Sequence, residues 1–338
     1  MAAGILVHAV VGLAPVLCFL AALIYLDSYK LVSMRSVVAV LASGLAVAVG
    51  CTVVNGALIA STGMSLATYS TYGGPLVEEL AKAAIVVALI RVHRIAFLVD
   101  AAIYGFAVGA GFAVVENLWY QVLLPDAGLG LWIVRGFGTA LMHGGTTAIF
   151  AVMGLALLEQ GSRSLPAALL PGYALAVVLH AAYNAMLGSP RITMLVVLLV
   201  LPASLYFVFR RSERTTADWL GRGFDADAEM LEVLNSGRFA DSPAGRYLAT
   251  LKRRFHGPVV ADLLCYVRLH TELALRAKGL LMMRESGFDV AVDDETRAKF
   301  DELRYLERSM GRTGLLAVRP LLRMSRKDLR QLYLLKSA

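Results

Sequence analysis

Long apolar runs separated by short polar connections fill the first 210 residues, at about 4–26, 36–60, 74–90, 96–124, 131–158, 166–187 and 192–209. Each is about as long as an α-helix must be to cross the ~30 Å hydrocarbon core of a bilayer. No strand-like alternation of useful length and no convincing internal repeat breaks the pattern. The runs predict an all-α fold, a polytopic transmembrane helix bundle of about seven helices. The third run opens on Gly73-Gly74-Pro75 and takes two acids into its first turns, so a short or re-entrant helix is the alternative expectation there. The first run follows a start without Lys or Arg and exceeds the core of a secretory signal, which predicts a retained anchor.

Beyond Arg210 the pattern changes to frequent charge with amphipathic helical spacing, which predicts two domains: a transmembrane domain over 1–210 and a C-terminal helical cytosolic domain over 211–338. Ser242-Pro243 reads as an N-cap followed by proline in the first turn, Gly257-Pro258 opens another helix, and Asp293-Asp294-Glu295 supplies acids suited to a helix N-terminus. Leu263, Val267, Ala274, Ala277 and Leu281 recur at helical spacing and predict a core face. The last stretch combines Arg319, Arg323, Arg326, Lys327 and Arg330 with Leu321, Leu322, Leu329, Leu332, Leu334 and Leu335. It fits either a helix lying on anionic lipid or a packed helix with a solvated basic face.

Composition agrees with a membrane setting, since 58% of residues are hydrophobic and 17% charged, well below the charge of a soluble domain. The net charge of +7 does not imply nucleic acid, because the basic residues gather in the C-terminal third and in short loops. Lys30 and Arg35, Arg91 and Arg94, Arg163, and Arg210, Arg211 and Arg214 follow alternate runs, whereas the 61–72 connection has no basic residue. Positive-inside reasoning therefore predicts an outer N-terminus and a cytoplasmic C-terminal domain in the cell membrane, with Arg135 and Arg191 as exceptions. Cys18, Cys51 and Cys265 form neither a disulfide framework nor a metal spacing.

Against this apolar background the ionisable residues inside the runs stand out: Glu78, Glu79 and Lys82 in the third, Glu116 with Asn117 in the fourth, His143 in the fifth, and His180 with Asn184 in the sixth. A charge at the bilayer centre is disfavoured by roughly 2.5–3.5 kcal/mol even on lenient scales, so such groups mark a polar, water-holding site. Glu78 and Lys82 are four apart and share a helix face, while Glu79 points about 100° away, which predicts one carboxylate paired and the other left to act as a general base. A structural ion pair between helices is the plainer alternative. Gly105, Gly109 and Gly111 in the fourth run would let neighbouring helices approach closely.

These residues carry a family resemblance. Gly74-Pro75-Leu76-Val77-Glu78-Glu79-Leu80-Ala81-Lys82 resembles the EExxK motif of the PrsW intramembrane proteases, and Phe112-Ala113-Val114-Val115-Glu116-Asn117 their FxxxEN motif. Asp100, Tyr104, Gly105 and Gly109 are similar to the lead-in of that second motif, His143 with Thr147 to the third, and His180 with Asn184 to the closing HxxxN element. The resemblance covers most of 70–190, the expected catalytic core, and the family is grouped with the CPBP/Abi superfamily that includes the type II CAAX prenyl proteases. It implies hydrolysis of a peptide bond in a membrane-anchored protein, in the best-known case an anti-sigma factor. Glu78 or Glu79 would activate water, with Glu78 favoured by the superfamily's use of the first glutamate. His143 and His180 would position the water or shuttle protons, and Asn184 with Asn117 would stabilise the oxyanion, with Lys82, Asp100 and Phe112 in support.

This reading requires no cofactor. A zinc-dependent version stays open, with Glu116, His143 and His180 as ligands and a fourth position for water. Aspartyl chemistry is unsupported because Asp27 and Asp100 sit near predicted helix ends, and no GxSxG element supports a rhomboid-type dyad. From other classes, a proton- or ion-coupled transporter would also place acids and histidines at the midplane, but it would call for repeat symmetry. A catalytically dead scaffold would not need intact motifs.

Overall fold

Ser33, Ser65, Ser164, Ser242 and Asp293 each accept a backbone N–H from three residues ahead through a side-chain oxygen, so five helix starts are written locally in the chain. The computed structural model describes residues 2–29, 31–160, 164–186, 189–288 and 290–322, with no strand among them. Lys30, Arg163, the last position of the sixth run, and the C-terminal stretch from Arg323 with Arg326, Lys327, Leu329, Arg330, Leu332, Leu334 and Leu335 lie outside the described residues. The chain divides into two compact units, Met1–Asp27 with Leu31–Ser212 and Ser28–Lys30 with Glu213–Ala338.

The first unit holds α1 (Ala2–Tyr25), α2 (Met34–Thr62), α3 (Leu66–Thr68), α4 (Gly74–Arg91), α5 (Leu98–Leu123), α6 (Leu129–Val134), α7 (Ala140–Glu159), α8 (Leu165–Asn184) and the start of α9 (Pro190–Asn235). A π-helical turn, Tyr69–Gly73, joins α3 to α4, and a second, Arg135–Thr139, joins α6 to α7. Among the described residues six helices are long and apolar enough to cross a membrane, which makes this a helical multi-pass bundle. The expected third span is not one of the six. Its helix, α4, forms where expected, but Glu78, Glu79, Lys82 and Arg91 fall within eighteen residues and break its apolar character.

Burial ranks the helices. In α5, 83% of the apolar window is buried, against 17% in α9 and 28% in α8, so α5 is the post around which the others stand. Asp100 starts it, its Oδ2 accepting the Ala96 and Phe97 backbone N–H groups at 3.0 and 3.1 Å. Close approach to α5 depends on glycine at two levels. A Cβ on Gly111 would lie 2.1 Å from the Leu41 carbonyl oxygen of α2, and one on Gly109 would lie 2.1 Å from the His143 carbonyl oxygen of α7. Backbone therefore packs on backbone beside His143.

The second unit contains the rest of α9 with α10 (Pro243–Leu251), α11 (Gly257–Glu285) and α12 (Asp294–Val318). Leu263, Val267, Ala274, Ala277 and Leu281 form the buried face of α11. Leu303, Leu306, Met310 and Val318 of α12 join its core. Gly311 takes φ 63° inside α12 and kinks it, a backbone conformation that glycine adopts without Cβ strain.

Candidate active site

Helix periodicity brings Glu78, Glu79 and Lys82 to the inward side of α4, where they meet α5, α7 and α8. Glu79 is the hub. Its Oε1 accepts Lys82 Nζ at 2.6 Å, His180 Nδ1 at 2.8 Å and the Thr146 hydroxyl at 3.2 Å. Lys82 is fully buried, lies 3.2 Å from His143 Nδ1, and stands 4.9 Å from the centre of the Phe112 ring. The expected partnership of Lys82 with Glu78 is thus replaced by one with Glu79, at i+3. A buried ammonium gains most where carboxylate, imidazole and aromatic face converge, and they do so on the Glu79 side.

Glu78 faces differently. Its Oε1 accepts Asn55 Nδ2 at 3.0 Å, and the Asn55 Oδ1 accepts the Tyr69 hydroxyl at 2.9 Å. Its Oε2 stands 3.9 Å from His180 Nε2, and among the described residues no lysine or arginine pairs with it. Glu116 Oε1 accepts an Arg135 guanidinium nitrogen at 2.9 Å, and its Oε2 lies 2.5 Å from His143 Nε2. The two imidazoles meet edge to face, with ring centres 4.7 Å apart.

The partners assign the tautomers. Lys82 has only donors to offer, so His143 Nδ1 accepts and its Nε2 stands against Glu116 Oε2; Glu79 accepts from His180 Nδ1–H, which leaves Nε2 of that ring facing Glu78. A 3.9 Å separation between Glu78 Oε2 and His180 Nε2 is too long for a direct hydrogen bond and suits a shared water. One ligand atom each from Glu78, His143 and His180 lie within 4.8 Å of one another. This grouping has Glu78 where the sequence expectation had Glu116.

The remaining expected residues frame the cluster. Asn117 is buried, with Nδ2 donating to the Gly12 carbonyl at 2.8 Å and Oδ1 accepting Arg135 Nε at 2.9 Å. Asn184, one turn after His180, donates to the Ser70 carbonyl at 2.8 Å and so ties α8 to the first π-helical turn. Phe112 packs 5.0 Å from the His143 ring. Asp100 caps α5, and Thr147 donates to the His143 carbonyl at 3.0 Å.

Sequence reasoning missed Asn55, Tyr69 and Thr146 as site residues, and took Arg135 only as an exception to the alternation of basic residues. Two of them carried a signal: Asn55 is a lone amide deep in the second run, and Arg135 a lone cation inside the edge of the fifth. The family model described as PrsW family intramembrane metalloprotease matches residues 32–209, which span every one of these side chains. No curated protein and no solved structure matches the chain.

Proposed function

Because the chain belongs to the PrsW family of intramembrane metalloproteases, we propose that it hydrolyses a peptide bond of a membrane-anchored protein with a water held between Glu78 and His180. The observation that carries this reading is the convergence of Glu78, His143 and His180, from three helices, within 4.8 Å. Glu78 is the general base, since Lys82 neutralises Glu79 and Arg135 neutralises Glu116. Glu78 takes a proton from the water while His180 Nε2 orients it, and the water oxygen bonds to the scissile carbonyl carbon. The second amide N–H of Asn184 serves the oxyanion, and the proton on Glu78 passes to the leaving nitrogen as the C–N bond breaks. Asn117 braces Arg135. An ion-coupled transporter has no support in the family match.

One carboxylate and two imidazoles are a donor set that holds catalytic zinc with a position left for water. Glu78 and His180 Nε2 stand ready for that role, whereas both His143 nitrogens are engaged, by Lys82 and Glu116, so a metal there would displace one of those contacts and take Glu78 from base to ligand. Zinc bound there would supply Lewis acidity and a more acidic water. The placement of the family beside the type II CAAX prenyl proteases, and an anti-sigma factor as substrate, are parts of the same proposal. So are a protease domain over 1–210 and a cytosolic domain over 211–338.

The test is cleavage of a single-pass membrane reporter by the wild type and by Glu78→Gln, Glu79→Gln, His143→Ala and His180→Ala. Glu78→Gln should lose about 10²–10⁴-fold, the usual contribution of a general base. Folded Glu78→Gln and His180→Ala variants that cleave at the wild-type rate would sink the assignment. Zinc content before and after phenanthroline, read with activity, separates the metal-assisted version from the metal-free one.

A further inference from the structure

Arg135 is 8% exposed and sits on the π-helical turn between α6 and α7. Its Nε donates to Asn117 Oδ1 and a terminal nitrogen to Glu116 Oε1, both at 2.9 Å, and its guanidinium lies 3.8 Å from the centre of the Tyr120 ring. Asn117 is held in turn by the Gly12 carbonyl. The next residue leaves the backbone little room to move, because a Cβ on Gly136 would lie 2.1 Å from the Val11 carbonyl oxygen. A planar guanidinium with two donors engaged and one face stacked fixes the orientation of the carboxylate it holds.

From this geometry, and resting on the water-activating reading above, we infer that Arg135 is a positioning residue that acts through Glu116 on His143. It turns Glu116 so that Oε1 faces the arginine and Oε2 faces His143 Nε2. It also completes the charge pattern of the cluster. Among the described residues the three carboxylates of the cluster meet one lysine and one arginine, Glu79 with Lys82 and Glu116 with Arg135, so Glu78 is the carboxylate that neither pairs with. Without Arg135, Glu116 would lose the fork that fixes its orientation and would be free to turn its Oε2 away from His143.

The experiment uses the full chain in liposomes with a single-pass membrane reporter, and compares Arg135→Gln, Arg135→Lys, Glu116→Gln and the Arg135→Gln/Glu116→Gln pair. Arg135→Gln should lower kcat by about 10²-fold, as misplaced catalytic groups do, with KM unchanged. Arg135→Lys, which keeps the charge but not the fork, should recover part of the loss. The pair should be no slower than Glu116→Gln alone. A purely structural clamp would instead have Gln match or exceed Lys, with the loss following the unfolding temperature and multiplying with that of Glu116→Gln. Imidazole ¹⁵N spectra of His143 give a readout independent of cleavage: Arg135→Gln should shift the Nε2 resonance, and an unchanged His143 spectrum in the folded variant overturns the inference. A wild-type rate in Glu78→Gln would count against the catalytic reading, whereas the His143 spectrum bears on Arg135 alone.

Discussion

Two adjacent glutamates of identical chemistry end up with different partners because the helix turns about 100° between them. Glu79 is 3% exposed and shares one oxygen among Lys82, His180 and Thr146, while Glu78 meets, among the described residues, the Asn55 amide and the far nitrogen of His180. The amide of Asn55 is oriented by Tyr69, whose hydroxyl donates to Oδ1 and so turns Nδ2 toward Glu78. A hydrogen bond to a charged group contributes about 1.5–3 kcal/mol, so Asn55→Leu should slow reporter cleavage by about 10–100-fold. Tyr69→Phe should lose less, and the double variant should be no slower than Asn55→Leu. Losses that multiply would show that Tyr69 does not act through Asn55.

At the scale of elements, the site depends on helices that stand closer than side chains usually allow. α5 and α7 meet backbone to backbone at Gly109 and His143, and the two π-helical turns flank the cluster, one held by Asn184 and the other carrying Arg135. Single π turns recur at functional sites because the extra residue re-aims the side chains around it. Gly109→Ala must push α7 outward at the level of His143. The cost should be about 1–3 kcal/mol, as for other overpacked cores, read as a lower unfolding temperature. Cleavage should fall further than that loss of folded protein explains, since His143 moves with α7. An active Gly109→Ala protein of wild-type stability would refute the close-contact account.

For the whole molecule, the number of bilayer crossings turns on α4. Among the described residues six helices meet the length and apolarity needed, and α4 does not, because Glu78, Glu79, Lys82 and Arg91 fall within it. If α4 crosses inside the bundle, as an outer N-terminus and cytoplasmic C-terminal domain require, the connections on its two sides face opposite compartments. Single cysteines at Met64, Arg94, Asp126 and Ser286, in a background with Cys18, Cys51 and Cys265 replaced by serine, test this. A membrane-impermeant maleimide should label positions 64 and 126 from outside and positions 94 and 286 only after permeabilisation. Labelling of 64 and 94 from one side would remove α4 as a span and reverse the orientation.

The sequence by itself determined the helical membrane bundle, the positions of its helices and most of the chemistry-bearing residues, because apolar run length, N-cap residues and the cost of charge in lipid are local or one-dimensional properties. Glu78, Glu79, His143 and His180 could be read this way, each as a polar residue in an apolar run. Only the tertiary structure decided which groups touch. Lys82 went to Glu79 rather than Glu78, Asn117 went to Gly12 and Arg135, and Asn55 and Arg135 joined the cluster from helices and turns remote in the chain. Partnership among buried charges depends on distances across helix interfaces, set by where glycines let backbones approach, and sequence spacing within one helix does not contain those distances.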